Sequence, residues 1–473
     1  MIGCRRGGVL AVAAALVSLQ VAAAAVAGAP ATSARVPLPF TLDSYPSTYR
    51  PLPRVDSLIV GAVVLDGAGN RLERANILMV GGKIAAIGPD VAAPVNAVVI
   101  DAHGRWVTPG IIDIHSHDGD FPAPFTSNEL VHSDVSEVTD PNTANVWAEH
   151  SVTVQDPSFS RALAAGVTTL QVLPGSSNLF GGRSVVLKPV PATTVQAMKF
   201  PDAPYGLKMA CGENPKHNYG DAGRFPSSRM GNIAGYREAF LKAQDYLAKW
   251  QAYEKGDAKE APTRDLKLDT LAGVLTGDIR VHIHCYRADE MAQLLDLARE
   301  FGFHVTAFHH AVEAYKIADQ LAREHVCSVV WSDWWGYKME AFDAIRENAA
   351  FVDAAGGCVT MHSDSPFLGQ RLVLEAAKSM AAGQRAGLDI KPERAIRWVT
   401  SNPAEALGLG ARIGSLAVGK NADVVIWSGD PFSVYTLAEK VFVDGALAYD
   451  RNDAKRQPRA DFEVGQPGAE PTP

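Results

Sequence analysis

The sequence predicts an α/β fold, a (β/α)8 TIM-like barrel carrying a small β-sandwich domain built from both ends of the chain. Three observations lead there. Short β-branched runs broken by Gly and Asn open the body of the chain and return near its end. Between them, apolar strand-like runs alternate with amphipathic helical runs, the pattern of a parallel sheet. No G-x-G-x-x-G follows a first strand, which argues against an open dinucleotide-binding sheet and for a closed barrel. At 473 residues the chain also exceeds what one core holds, since single cores stop growing near about 250–300 residues.

Taken in order, residues 1–27 read as a signal peptide: Arg5 and Arg6 precede an apolar run over 9–26, with small residues at Ala25 and Ala27. The competing reading is an uncleaved anchor, because the run approaches the roughly 20 residues that span a bilayer. The Ala-rich A-x-A ending favours cleavage, and with it export to the periplasm or beyond and no stable membrane insertion afterwards. The paired arginines suit the twin-arginine route as well as the general one. Cys4 lies before the apolar core, so a lipoprotein is not indicated. Export would place Cys211, Cys285, Cys327 and Cys358 where disulfides persist, although spacing alone pairs none of them. Cys327 and Cys358 begin neighbouring predicted strands and could be bridged, but are read first as small buried apolar residues.

Residues 28–55 are rich in proline and polar residues and form an extended lead-in. Residues 56–108 (SLIVGAVVLDGAGN, ANILMVGGKIAAIG, NAVVIDAHGRWVTPG) are strands joined by tight turns, the first part of the sandwich. The same texture over 412–450 supplies its second part, and 451–473 is a polar tail. The barrel occupies 109–411. Within it, 214–228 and 254–267 are too irregular for the wall and read as insertions on the rim. With 47% hydrophobic and 20% charged residues, disordered, collagenous and multi-pass membrane classes drop out. A net charge of −8 without a long Lys/Arg run leaves no surface for nucleic acid.

The chemistry begins at GIIDIHSHDGD. His115 and His117 are two apart after an apolar run, so in a strand both point to one face, the barrel interior. Two imidazoles at the carboxyl end of a barrel strand suit a borderline-soft divalent ion such as zinc. Three later strands end in matching residues: His284 in RVHIHCYRADE, His310 in VTAFHHAVEAY and Asp364 in CVTMHSDSP.

The run PGIIDIHSH, these strand-end histidines, HSDSP and the closing SNPAEALGLGARIGSLAVGKNADVVIW together resemble the amidohydrolase superfamily, nearest to its imidazolonepropionase-like exported branch. The resemblance covers residues 56–449. It implies that His115 and His117 bind a more buried metal, His284 and His310 a second, and that Asp364 binds metal while acting as acid and base. It implies two divalent metals, zinc first, with manganese, iron or cobalt admitted by the same donors. The reaction implied is hydrolysis of a carbon–nitrogen bond, in a cyclic amide, an N-acyl amino acid or a small peptide, by a metal-activated hydroxide. Deamination of a heterocycle uses the same chemistry, and a barrel scaffold that has lost catalysis is the non-enzymatic alternative. Such a scaffold need not keep costly buried polar groups.

A bridging anion is also implied, either a glutamate or a carboxylated lysine. The strand YGLKMACGENPKHNYGD offers Glu213, Lys208 and Lys216. Glu213 is expected, being placed after the apolar strand as His284 is after its own. Lys208 is the rival, and a lysine snorkelling to solvent the bland alternative. His282 reads as a core histidine or one supporting a ligand, His309 as packing on the opposite face, and His362 as one pleat below Asp364. Asp113 lies a layer below the site or serves the frame under it. Substrate contacts are expected from Arg183, Tyr219, Arg229 and Arg287, with Arg224, Trp334, Trp335 and Tyr337 nearby in sequence. An arginine can clamp a carboxylate and tryptophans can wall an apolar pocket. Arg229 and Arg287 could equally pair with barrel acids. The expected partner is a small-molecule substrate, and a homo-oligomer is the default for such an enzyme.

Overall fold

The computed structural model describes residues 38–121, 123 and 132–457, so the segment read as a signal peptide and residues 458–473 of the polar tail lie outside the described residues. No helix among the described residues is long and apolar enough to cross a membrane.

Two eight-stranded sheets organise the chain. The first joins both ends: β1 (Ser57–Leu65), β2 (Arg71–Val80), β3 (Lys83–Gly88), β4 (Val98–Asp101) and β5 (Trp106–Pro109) pair with β14 (Val424–Trp427), β15 (Ala438–Val443) and β16 (Ala446–Asp450). The seam between the ends is β5 against β14, antiparallel, with Trp106 opposite Trp427. The alternating apolar residues of these strands close over a core of their own, which includes Ile59, Ile77, Val107, Val424 and Phe442.

The second sheet is the barrel wall, in the order β6 (Ile111–Ser116), β7 (Val167–Val172), β8 (Phe180–Leu187), β9 (Gly206–Ala210), β10 (Arg280–Cys285), β11 (Val305–His310), β12 (Cys327–Val330) and β13 (Cys358–Met361). Its strands are buried along almost their whole length, as expected when helices cover one face and packed side chains the other. The wall departs from eight parallel strands at β8, which runs antiparallel to both neighbours. A short loop over 173–179 joins β7 to β8, and a loop that short permits only an antiparallel return. The ends meet where the Asp364 N–H donates to the His115 carbonyl at 2.9 Å and the Ser363 N–H to Asp113 Oδ1 at 3.2 Å. That closure carries the HxH segment and the HSD segment to one place.

The rim segment 214–228 is more regular than its composition suggests, since Glu213–Gly220 forms a helix with Pro215 in its first turn, where a proline is tolerated. The long helix Arg229–Glu254 follows.

All four cysteines of the barrel are bridged, Cys211 to Cys285 and Cys327 to Cys358, which corrects the reading of the latter two as small apolar residues. Cys327 and Cys358 are register partners on β12 and β13, so adjacent parallel strands hold their Cα atoms 4.5 Å apart. Closing a loop with a separation of 31 residues stabilises by about 3–4 kcal/mol in the chain-entropy account. The double variant Cys327→Ser/Cys358→Ser is therefore expected to melt roughly 3–5 °C lower in a chain of this size. An unchanged melting temperature in differential scanning calorimetry would refute the contribution.

Candidate metal centre

Each histidine of the HxH pair is placed by β6. His115 is fully buried and His117 nearly so, and both Nε2 atoms reach one oxygen of Asp364, at 3.2 Å and 3.0 Å to Oδ1. His117 Nδ1 lies 2.9 Å from the Leu173 carbonyl, which orients that ring. Nitrogen atoms of His115, His310 and His362 form a second group, all within 4.8 Å of one another, and the His284 ring lies 4.4 Å from that of His310. Thus β6, β10, β11 and β13 deliver five imidazoles and a carboxylate to one end of the barrel.

The backbone at two of these positions is in the left-handed region: His310 has φ +70° and Asp364 φ +52°. Such conformations cost about 1–3 kcal/mol each and persist where the surroundings impose them. At His310 this turns the last side chain of β11 inward where the pleat would send it out, so that His309 and His310 both enter the interior. His362 and Asp364, two apart, share that face as well.

The polar accounting of this cluster fits a cation. Both ring nitrogens of His284, both of His362 and Nδ1 of His310 are buried without a hydrogen-bond partner among the described residues, a costly state for groups of this kind. Burial, reinforced by the Lys338 and Lys208 charges, holds His284 well below its ordinary value. Burial and the neighbouring imidazole of His284 do the same to His310, and His362 is pushed down to about 3, mainly by burial. Neutral imidazoles with free lone pairs are ligands. Burial would raise the Asp364 carboxyl, but His310, His117 and His362 outweigh it and hold it well below the carboxylate range. An ionised carboxylate among neutral imidazoles is a donor set for zinc or a similar divalent ion.

The bridging position is where the structure departs from the expectation of Glu213. Gly212 has φ +75° and turns the chain off β9, and a Cβ there would stand 2.4 Å from Glu340 Oε1. Glu213 therefore begins the rim helix, its N–H donated to Glu340 Oε1 and its carboxylate 3.5 Å from Lys338 Nζ. Lys208, inside β9, is fully buried instead of snorkelling. Its Nζ lies 3.3 Å from His115 Nε2 and donates to the Pro174 carbonyl at 3.1 Å. Burial lowers its pKa to about 8, with the Asp364 charge opposing. Lys216 belongs to the Glu213–Gly220 helix on the rim.

The four residues expected to touch substrate have other partners. Arg183 is buried, with Nε on Thr270 Oγ1, Nη1 on the Leu42 carbonyl and its guanidinium over the Trp147 ring. Tyr219 is buried and donates to the Asp140 carbonyl. Arg229 is 3.0 Å from both Glu290 and Glu340, and Arg287 pairs with Asp289 at 3.0 Å, so both follow the acid-pairing alternative. The aromatic segment does reach the cluster. Trp331 stacks on His310 at 4.5 Å, Trp334 stacks on Trp331, and Tyr337 joins its hydroxyl to that of Tyr286 beside His284. Trp335 is exposed and packs on Phe342.

Two histidines stand otherwise than the sequence predicts, and an open reading of Asp113 is resolved. His362, placed a layer down, shares the nitrogen cluster and stacks on the His115 ring. His309, read as outward packing, places Nδ1 2.8 Å from His115 Nδ1. Asp113, left open between two roles, accepts the N–H groups of His115 and Ser363 and so holds the closure of the wall. Burial raises its pKa to about 7.

Comparison with known proteins agrees with this frame. The Amidohydrolase family model matches residues 106–455. The protein Amidohydrolase tasK of Hapsidospora irregularis is 31% identical over 410 residues, 82% of this chain, and the chain spans 40% of that relative's length. An imidazolonepropionase of Pseudomonas syringae pv. tomato is 24% identical over 78% of this chain and 90% of its own. The crystal structure of an amidohydrolase from Thermotoga maritima superposes with a TM-score of 0.76 at 35% identity, over 83% of this chain and all of that one. A buried His/Asp cluster at one end of the barrel and these likenesses carry one conclusion: the chain belongs to the amidohydrolase family.

Proposed function

We propose that the chain is an exported, metal-dependent hydrolase of a small amide, with His115, His117, His284, His310 and Asp364 as ligands and the carbamate of Lys208 in the bridging role first given to Glu213. The observation that carries this reading is the convergence of buried, partnerless imidazole nitrogens with the Asp364 carboxylate and the buried Lys208 amine. His362 stands close enough to replace or support one of these ligands. A divalent ion held here would lower the pKa of water and polarise a carbonyl oxygen.

The remaining work belongs to side chains of this protein. Asp364 accepts a proton from the attacking water and returns it to the leaving nitrogen, which departs as the amine. The wall of Trp331, Trp334 and Tyr337 receives the apolar or flat part of the substrate and excludes water from the reacting carbonyl. Carboxylation of Lys208 needs the neutral amine: Nζ bonds to the carbon of CO2, one N–H proton leaves to water, and a carbamate anion results. A pKa near 8 makes about half the side chain neutral at that pH. The two disulfides support export, since such bridges persist in oxidising compartments.

A flat aromatic wall also suits a heterocycle, and the alternative reading is its deamination. One panel tests both, with cyclic amides (imidazolonepropionate first, for the relatives of that name), N-acyl amino acids, dipeptides, and amino-substituted purines and pyrimidines. Release of carboxylate and amine from an amide without free ammonia is the expected result. Ammonia from the heterocycles alone would establish the deaminase, and inertness of the zinc-loaded protein across the panel would leave the scaffold.

A further inference from the structure

Beneath the metal centre runs a chain of hydrogen-bonding groups that the proposed reaction does not use. His115 Nδ1 lies 2.8 Å from His309 Nδ1. His309 Nε2 lies 2.9 Å from His282 Nδ1. His282 Nε2 lies 3.4 Å from the Gln171 amide, which is 2.7 Å from Ser184 Oγ. All five residues are buried. The chain threads β6, β11, β10, β7 and β8 across the interior. Space has been left for it at Gly206, where a Cβ would stand 2.6 Å from Ser184 Oγ, 2.7 Å from His282 Cδ2 and 2.9 Å from the Gln171 amide nitrogen.

A neutral imidazole carries one N–H and one lone pair, so a row of such rings admits only two proton arrangements. In one, His115 keeps its proton on Nδ1 and donates to His309. His309 then donates from Nε2 to His282, and His282 from Nε2 to Gln171, which must present its carbonyl oxygen. In the other, every donor and acceptor is exchanged. Gln171 donates its N–H, and His115 ends with its proton on Nε2, the atom facing Asp364 and Lys208. Only the first leaves His115 Nε2 a lone pair for a metal. The Gln171 amide can serve either, because its two ends differ only by a half-turn. In the orientation with its nitrogen toward His282, its oxygen is buried without a partner among the described residues; the half-turn sets that oxygen before His282 and Ser184 and puts the amide nitrogen in its former place.

We propose that His309, His282 and Gln171 are positioning residues that set the tautomer of His115, so that metal capture at Nε2 is coupled to the orientation of the buried Gln171 amide on β7. The proposal rests on the metal reading above. Hydrogen-bonding partners behind ligands typically contribute about 10- to 100-fold in metal affinity.

Zinc affinity of the full chain, measured by chelator competition with folding of the metal-free protein checked by circular dichroism, is the test. His309→Leu is expected to bind zinc about 10- to 100-fold more weakly, and His309→Gln, whose amide can accept on one side and donate on the other, to recover most of the loss. Should His309→Leu not fold, Gln171→Leu at the far end of the chain is expected to weaken binding in the same direction. Wild-type affinity in a folded Leu variant would overturn the proposal. Ring-nitrogen assignment by 15N-histidine NMR decides it independently of metal. Protons on Nδ1 of His115, Nε2 of His309 and Nε2 of His282 in zinc-loaded protein support it, and a zinc-loaded His115 protonated on Nε2 overturns it. If wild-type protein binds no zinc, the metal reading falls instead. A strict alternation of donor and acceptor along 115, 309 and 282 in the metal-free protein then still supports the chain, and a break in that alternation overturns it.

Discussion

Asp364→Asn is expected to fold, retain metal and lose turnover by at least about 10²-fold, the range of general acid–base catalysis. In the proposed reaction Asp364 stores the proton between the attacking water and the leaving nitrogen, and its Oδ1 lies against both histidines of the HxH pair. The asparagine amide of this variant keeps the size and one acceptor oxygen of the carboxylate but cannot take up and return a proton at neutral pH. Loss of kcat with metal content held near the wild-type value, by elemental analysis, is the signature. Wild-type kcat in a metal-loaded Asp364→Asn protein would end the assignment of Asp364 as the proton carrier.

Lys208→Met, paired with Glu213→Gln, separates the two bridging ligands. Lys208→Met keeps the buried stem and removes the amine, and is expected to lower metal content and to reduce kcat/KM by at least about 10²-fold, the upper range for losing a group that holds a ligand set. Glu213→Gln is expected to stay near wild type, since its carboxylate faces Lys338 on the rim. A second readout is a carbamate carbon signal from 13C-bicarbonate in wild-type protein, absent from Lys208→Met. The reverse pattern, with Glu213→Gln losing metal and Lys208→Met keeping it, would return the bridge to Glu213. A buried ammonium between imidazoles is costly, whereas its carbamate would meet cations in the same place.

Much of this centre is legible in the sequence because strand alternation is a local rule. One residue separates His115 from His117, and a strand sends both to one face. His284 is reached by the same rule from the end of β10. The rule fails where the backbone leaves the extended region. At His310 the left-handed φ breaks the pleat, so His309 lies inside where alternation sends it outward. His362 keeps the face alternation gives it, and its ring nitrogens still reach those of His115 and His310. Glu213 stands on the rim, and not beside the histidines, for a related reason. Counting from the strand end favours Glu213, but Gly212 turns the chain away there, and the long stem of Lys208 climbs from within β9 to the level of His115. The arginines and Tyr219 were chosen by chemical type, and type does not say which acid or carbonyl stands opposite. Arg183 meets Leu42 across 141 residues.

The sequence by itself determined the α/β class, the joining of the two chain ends, the HxH pair and the strand-end residues His284, His310 and Asp364. These follow from periodicity and from residue types, which act over a few neighbours. Tertiary structure alone decided that Lys208 rather than Glu213 enters the cluster, that all four barrel cysteines are bridged, and that two histidines and a glutamine line up behind His115. Each of these is a meeting of side chains from distant strands, fixed by barrel closure and by register between strands, which no local pattern encodes.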